Sequence, residues 1–322
     1  MNQLLIILGV TLILDFLLGD MQNRWYPILA FKRLAADSEI KLREYFGNTI
    51  FAGILGWLML VPPTVLLCWV LVMVVQLYSM LNGILLASVL IWVSISMRGL
   101  LHKSLALIAP LRSGNLSVAR RILGEMTRFS TARLISKELI CFGIENLSVK
   151  LVGIVTSVFF WAAIGWIFQG VAGAAAGAVF ARTVQVLEEQ WGYCDGIYPK
   201  FGRFATVINH FADWLPARLT ALSVAVAAIP KGRGKVAVAT AWRHRNELSS
   251  SNSAWIKAAF AGALNLTLGG PREYPNGVQN YPYLGNSRAE LKIADLKRAV
   301  WLAFAAVIVF LFLLFLLTAL CI

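Results

Sequence analysis

The sequence predicts an all-α fold, a polytopic membrane bundle of about six spans with a helical and loop region on its cytoplasmic side. Three observations carry that reading. Hydrophobic residues fill 59% of the 322 positions and charged residues 14%, where soluble domains carry roughly a quarter charged. Apolar runs recur at the length of ~20 residues that a helix needs to cross the hydrocarbon core. Finally, all 29 Lys and Arg fall within three connecting segments, as expected if those segments are the cytoplasmic loops.

The apolar runs lie near residues 4–18, 50–76, 79–97, 151–181 and 299–322. The first has no basic residue ahead of it and carries Asp15 inside it, so it reads as a retained helix rather than a cleaved leader. The run 151–181 is too long for one crossing and is punctuated by Gly165, Gly170, Gly173 and Gly177. It is expected to be two closely packed helices turning near Gln169–Gly170, because small residues let helix backbones approach. The connections 19–49, 98–150 and 182–298 hold 5, 9 and 15 Lys and Arg. This divides the chain into a membrane bundle over 1–181 with cytoplasmic loops 19–49 and 98–150, a cytoplasmic region over 182–298, and a C-terminal span over 299–322. A bacterial-type inner membrane with both termini outside is the expected setting. Segment 214–229 is apolar but flanked by basic stretches, and is expected to be a buried or re-entrant helix. Segment 98–148 shows apolar residues at three-to-four spacing and reads as surface helices. Segment 269–287, rich in Gly, Pro and Asn, reads as a structured loop without regular elements.

Composition also excludes. The four cysteines form no CxxC pair and the three histidines are scattered, which removes zinc-ribbon and HExxH chemistry. The net charge of +13 fits loops lying beside anionic lipid better than a nucleic-acid surface. GRGK at 232–235 lacks the Ser/Thr and flanking strand of a phosphate-binding loop. A transporter would show duplicated halves, and no such pairing is present. Four groups stand out as candidates. Asp15 inside an apolar helix is costly unless paired or hydrated. Glu145 and Asn146 place a carboxylate and an amide at the mouth of the bundle, with an N-terminal helix cap as the alternative. Arg182, Gln185 and Glu189 share one helical face with Glu188 at its edge, with a solvated face as the alternative. Arg218 lies in an apolar segment, where a phosphate or carboxylate partner would offset its cost.

Several motifs together resemble the cobalamin-biosynthesis membrane family typified by adenosylcobinamide-phosphate synthase. LDFLLGDMQNRWYP over 14–27 is similar to the family's opening motif through Asp15, Gly19, Asp20 and Pro27. IENLSVK carries its Glu-Asn pair as Glu145–Asn146, and the helical stretch over 104–123 ends in a family-like Ala119–Arg120 pair. WGYCDGIYPKFGRF, ADWLPARLTAL, the stretch SNSAWIKAAFAGALNLTLGGPREY and then PYLGN follow in family order. The resemblance implies an enzyme that joins a corrinoid carboxylate to aminopropanol or its phosphate, using ATP and Mg²⁺. It also implies catalytic roles for Asp15, Asp20, Glu145 and Glu188. Substrate contacts would come from Arg128, Asn146, Arg182, Tyr193, Arg218, Asn252, Gly269, Gly270 and Pro271, with the metal ligands left open.

Several of the family's acids are replaced. Phe129, Val149, Asn209, His210 and Lys257 stand where carboxylates are usual, which thins any metal site, because Mg²⁺ is held by carboxylate oxygens. The alternative is therefore a catalytically degenerate paralogue acting through protein partners, similar to the membrane regulator linked to β-lactamase induction, which shares a motif like that over Asp213–Leu219. The layout is checked by cysteine labelling. A cysteine introduced at Ser250 or Asn276 should resist a membrane-impermeant maleimide in intact cells and react after lysis, and reaction in intact cells would overturn the assigned loops.

Overall fold

The computed structural model describes residues 2–19, 26–192, 200–274, 277–286 and 290–320. In chain order the helices are α1 (Asn2–Leu18), α2 (Pro27–Phe46), α3 (Ile50–Tyr78), α4 (Met80–Ser94), α5 (Met97–Ala106), α6 (Ile108–Arg112) and α7 (Leu116–Gly124). They continue as α8 (Ser136–Leu151), α9 (Ser157–Trp191), α10 (Arg203–Ala212), α11 (Trp214–Ala227), α12 (Gly234–Arg243), α13 (Ser251–Leu264) and α14 (Ile293–Leu320). The all-α, membrane-like fold class expected from composition is the one found. Among the described residues, four helical stretches are long and apolar enough to cross a membrane: Ile50–Tyr78, Met80–Arg112, Ser136–Trp191 and Ile293–Leu320. One of them, through α9, contains a chain reversal.

The chain divides into two compact units. The first comprises Met1–Arg98, Gly153–Asp213 and Phe312–Ile322, and the second Gly99–Val152 and Trp214–Leu311. In the first unit α9 packs against α3, α4, α10 and α2. Its core joins Ala52, Leu60 and Val61 of α3 to Val184, Leu187 and Trp191 of α9, with Ala35, Leu42 and Phe201 alongside. Trp191 is fully buried, and its indole N–H donates to the Ala35 carbonyl at 3.2 Å, which satisfies the one polar group its burial would otherwise strand.

α9 reverses direction at Gln169 and Gly170, where Gly170 has a φ of 61°, a conformation glycine adopts without steric cost. The arms then pack backbone to backbone. A β-carbon on Gly165 would lie 2.0 Å from the Gly173 carbonyl oxygen, and one on Gly177 would lie 2.0 Å from that of Trp161. The glycine spacing thus produces the expected hairpin.

In the second unit α13 packs against α11, α12 and α8. Two expectations are corrected here. Segment 269–287 is not without regular elements: β1 (Arg272–Tyr274) and β2 (Gly277–Gln279) pair antiparallel, with Arg272 opposite Gln279, and Leu268 bridges Leu284. Strands of three residues are too short for side-chain alternation to appear in sequence. The helix-cap alternative for Glu145 also fails, because α8 runs unbroken from Ser136 and places Glu145 in its interior.

Replacing Gly173 by alanine should lower the thermal midpoint in detergent, with a cost of about 1–3 kcal/mol from overpacking. Replacing Gly9 by alanine, inside α1 where nothing lies within 4 Å, should leave it unchanged or raise it slightly. Equal midpoints for the two variants would mean that the α9 arms do not pack this way.

Candidate functional site

Among the described residues, two buried polar clusters hold several of the candidate residues. In the second unit, Cys141 and Glu145 lie one turn apart on α8, Lys257 projects from α13, and Gly269 and Arg272 belong to the loop and strand that follow. Glu145 is 3% exposed. The Lys257 Nζ stands 2.8 Å from Glu145 Oε2, and Arg272 pairs with the same oxygen through Nη2. The Gly269 N–H donates to Oε1 at 2.7 Å, and the Cys141 thiol approaches that oxygen at 3.6 Å. Gly269 has a φ of 109°, and a β-carbon there would meet the Pro282 carbonyl oxygen at 2.2 Å. Glycine is thus required for the backbone to turn its N–H onto the carboxylate. The Arg272 guanidinium lies 4.3 Å from the ring centre of Tyr281, 5.3 Å from that of Phe142 and 5.5 Å from that of Phe129.

The physical sense of this arrangement follows from burial. An isolated carboxylate in a low-dielectric interior is costly, and close cations with additional hydrogen bonds are what make it tenable. Burial pushes the Lys257 ammonium below its ordinary pKa, and the Glu145 charge opposes that shift. Two cations face one carboxylate, so the cluster carries excess positive charge.

That donor set does not suit a divalent cation. Mg²⁺ requires octahedral oxygen ligands at 2.0–2.1 Å, usually with one or two free carboxylates, whereas both Glu145 oxygens already accept from nitrogen donors. Among the described residues no three of His, Cys, Asp or Glu converge.

In the first unit, the C-terminal arm of α9 presents its polar face at the expected three-to-four spacing. Arg182, 7% exposed, donates through Nη1 to the Gln185 side-chain oxygen. Gln185 Nε2 donates to Glu189 Oε1 at 2.9 Å, and Glu189 Oε2 lies 3.4 Å from Lys32 Nζ of α2. Beside this chain of contacts stands Asp213, which follows α10. Removal of its carboxyl from water pushes its pKa up to about 6; a hydrogen bond to Ser157 opposes the shift, the charge of Glu188 adds to it, and a hydrogen bond to Asn209 opposes it. Asn209 Nδ2 donates to Asp213 Oδ2 at 3.2 Å.

The candidate residues distribute as follows. Asp15 is buried in the first unit and accepts the Arg98 N–H at 2.9 Å, while Arg98 Nη1 donates to the Phe16 and Leu17 carbonyls that end α1. This is a helix-terminus junction. Asp20 and Tyr193 lie outside the described residues. Arg182 and Glu188 belong to the first unit; Arg128, Glu145, Asn146, Arg218, Asn252, Gly269, Gly270 and Pro271 belong to the second. Arg218 Nη1 donates to the Trp214 carbonyl at 2.6 Å and to Asn252 Oδ1 at 3.0 Å, and its guanidinium lies 4.2 Å from the Trp214 ring centre. Asn146 donates to the Met126 carbonyl at 2.7 Å. Arg128 is exposed, Pro271 is exposed and Gly270 is buried against the Tyr283 ring. Three further residues belong to these clusters: Arg272, directly after the GGP turn, Lys257, which stands where the family carries an acid, and Asp213, inside the ADWLPARLTAL motif.

A helical membrane protein with a carboxylate locked between internal cations and a separate carboxylate pair is the class these features define. A family model described as CobD/Cbib protein matches residues 8–303, and the chain belongs to that family. It is 28% identical to the cobalamin biosynthesis protein CobD of Clostridium perfringens over 286 residues, 88% of each chain. It is 28% identical to that of Leptospira interrogans serogroup Icterohaemorrhagiae serovar copenhageni over 291 residues, 90% of each. It is 27% identical to the cobalamin biosynthesis protein CbiB of Salmonella typhimurium over 300 residues, 91% of each. No solved structure matches the chain.

Proposed function

We propose that the chain forms an amide between a corrinoid carboxyl group and a small amine such as aminopropanol or its phosphate, with ATP activating the carboxyl, at the cytoplasmic face of a bacterial inner membrane. The observation that carries this reading is the Glu188–Asp213 pair. An amine must lose a proton as it attacks an activated acyl carbon, and a base with a pKa near neutrality accepts that proton better than an ordinary carboxylate. Asp213, held near 6 by burial and by Glu188, has that property. In this scheme Glu188 attracts the incoming ammonium, which gives one proton to water to become the attacking amine, and Asp213 takes the second proton from nitrogen as the amide forms. The C–N bond forms as the bond to the phosphate leaving group breaks. The Glu145 carboxylate, with both oxygens engaged by nitrogen donors, does not fit a divalent ion, and no step is assigned to one.

A second reading is the non-catalytic paralogue acting through protein partners. It is favoured by the occupancy of Glu145, whose oxygens are taken by Lys257, Arg272 and Gly269, and by Phe129 packing over Arg272 where the resemblance would place an acid.

The experiment is amide formation by purified protein from adenosylcobyric acid, aminopropanol phosphate and ATP, followed by mass spectrometry. The proposal expects product, and a loss of about 10²–10⁴-fold in rate for Asp213→Asn. Because the base must be deprotonated, kcat/KM should fall about tenfold per pH unit below pH 6, and the asparagine variant should lose that limb. If the native chain neither forms product nor binds the corrinoid, the paralogue reading replaces the enzyme.

A further inference from the structure

The helical hairpin of α11 and α12 inverts the usual distribution of apolar side chains. Its inner faces bury small residues: Ala217, Ala221 and Ala225 on α11, Ala237 and Ala241 on α12. α13 approaches closely enough that a β-carbon on its Gly262 would lie 2.8 Å from the Ala237 Cα. The large apolar residues point outward, with Leu222 46%, Ile229 61%, Val238 46% and Trp242 60% exposed. Between the two helices these residues, with Lys235, line a groove of about 770 Å³. That volume falls in the range of roughly 300–1,000 Å³ in which small-molecule sites occur, and an apolar face of this kind left in water is a liability.

Charge indicates what covers it. From Trp214 to Asn246 the sequence contains Arg218, Lys231, Arg233, Lys235, Arg243 and Arg245 and no Asp or Glu. Three of the cations cluster at the turn joining α11 to α12, where Gly232, with a φ of 68°, lets the chain reverse. At the other end of the groove Arg245 stacks 4.3 Å from the Trp242 ring centre. An apolar groove rimmed by cations, on a chain with helices apolar enough to cross a membrane, complements a molecule with a hydrocarbon tail and an anionic head.

We infer that this groove is a binding site for an anionic phospholipid, with an acyl chain between α11 and α12 and the headgroup phosphate at Lys231, Arg233 and Lys235. The site is independent of the proposed chemistry. A nucleic acid would use the cations but leave the groove empty. A second copy of the chain, carrying the same cationic rim, would be repelled.

The test is photo-crosslinking in proteoliposomes of three parts phosphatidylcholine to one part phosphatidylglycerol, with a trace of either lipid carrying a diazirine near the end of one acyl chain. Peptide mass spectrometry should place adducts within 222–242, with the phosphatidylglycerol probe labelling at least tenfold more than the phosphatidylcholine probe. The triple variant Lys231→Gln, Arg233→Gln, Lys235→Gln should bring the two probes to equal yield while its circular dichroism stays unchanged, because all three side chains are at the surface or half-buried. Equal labelling of the native protein by both probes, or no adduct within 222–242, would overturn the inference. So would a photoreactive residue at Val226 that captured a second copy or another protein in place of lipid.

Discussion

The second unit depends on a single constraint: the Glu145 carboxylate is buried and must be neutralised from within. Glu145 sits on α8, the ammonium that meets it on α13, the guanidinium on β1 and the N–H at Gly269. These groups come from four places in the chain, so satisfying one buried charge fixes two helices and a loop relative to one another. The geometry then propagates outward. Arg272 is oriented by the rings of Tyr281, Phe142 and Phe129, and the Ser130 N–H bonds to the Glu273 carbonyl at 2.7 Å, tying the 127–135 connection to the small sheet. Breaking such a buried pair from one side strands an uncompensated charge, which is why these networks are all-or-none.

The same cluster explains how replaced acids can be tolerated. Where the resemblance implies carboxylates at Phe129 and Lys257, this chain places an aromatic ring over Arg272 and an ammonium against Glu145. The Lys257 ammonium and the Arg272 guanidinium together neutralise the Glu145 carboxylate from within the chain. The first unit keeps the opposite character. There the Glu188 charge adds to the burial that raises the Asp213 pKa, and the Arg182, Gln185 and Glu189 relay orders the neighbouring helix face. The second unit's cluster therefore sets two cations against one carboxylate, whereas the first unit's sets one carboxylate against another.

How much of this was legible in the sequence depends on the range of the interaction. The α9 hairpin was legible because glycine spacing is local and close helix approach has few other solutions. The polar face of Arg182, Gln185 and Glu189 was legible for the same reason, since helical spacing alone brings those residues together. The partners of Glu145 were not, because Arg272 lies 127 residues away in sequence, and nothing local to a basic residue says which distant acid it will meet. Asp15 was recognisable as costly, but its role at a helix junction rests on the amide of Arg98, again far along the chain. The β1–β2 hairpin escaped because three-residue strands carry no readable period. Asp213 sat in plain view inside a motif, and only its desolvation beside Glu188 distinguished it.

The claim that internal cations, and not a bound ion, hold the Glu145 carboxylate is tested most directly by unfolding of the purified protein in detergent, comparing Glu145→Leu with the triple variant Glu145→Leu, Lys257→Met, Arg272→Met. Removing the carboxylate alone strands two buried cations and should cost about 3–5 kcal/mol, whereas removing all three charges should recover most of that loss. A triple variant less stable than Glu145→Leu, with the losses simply adding, would contradict the account.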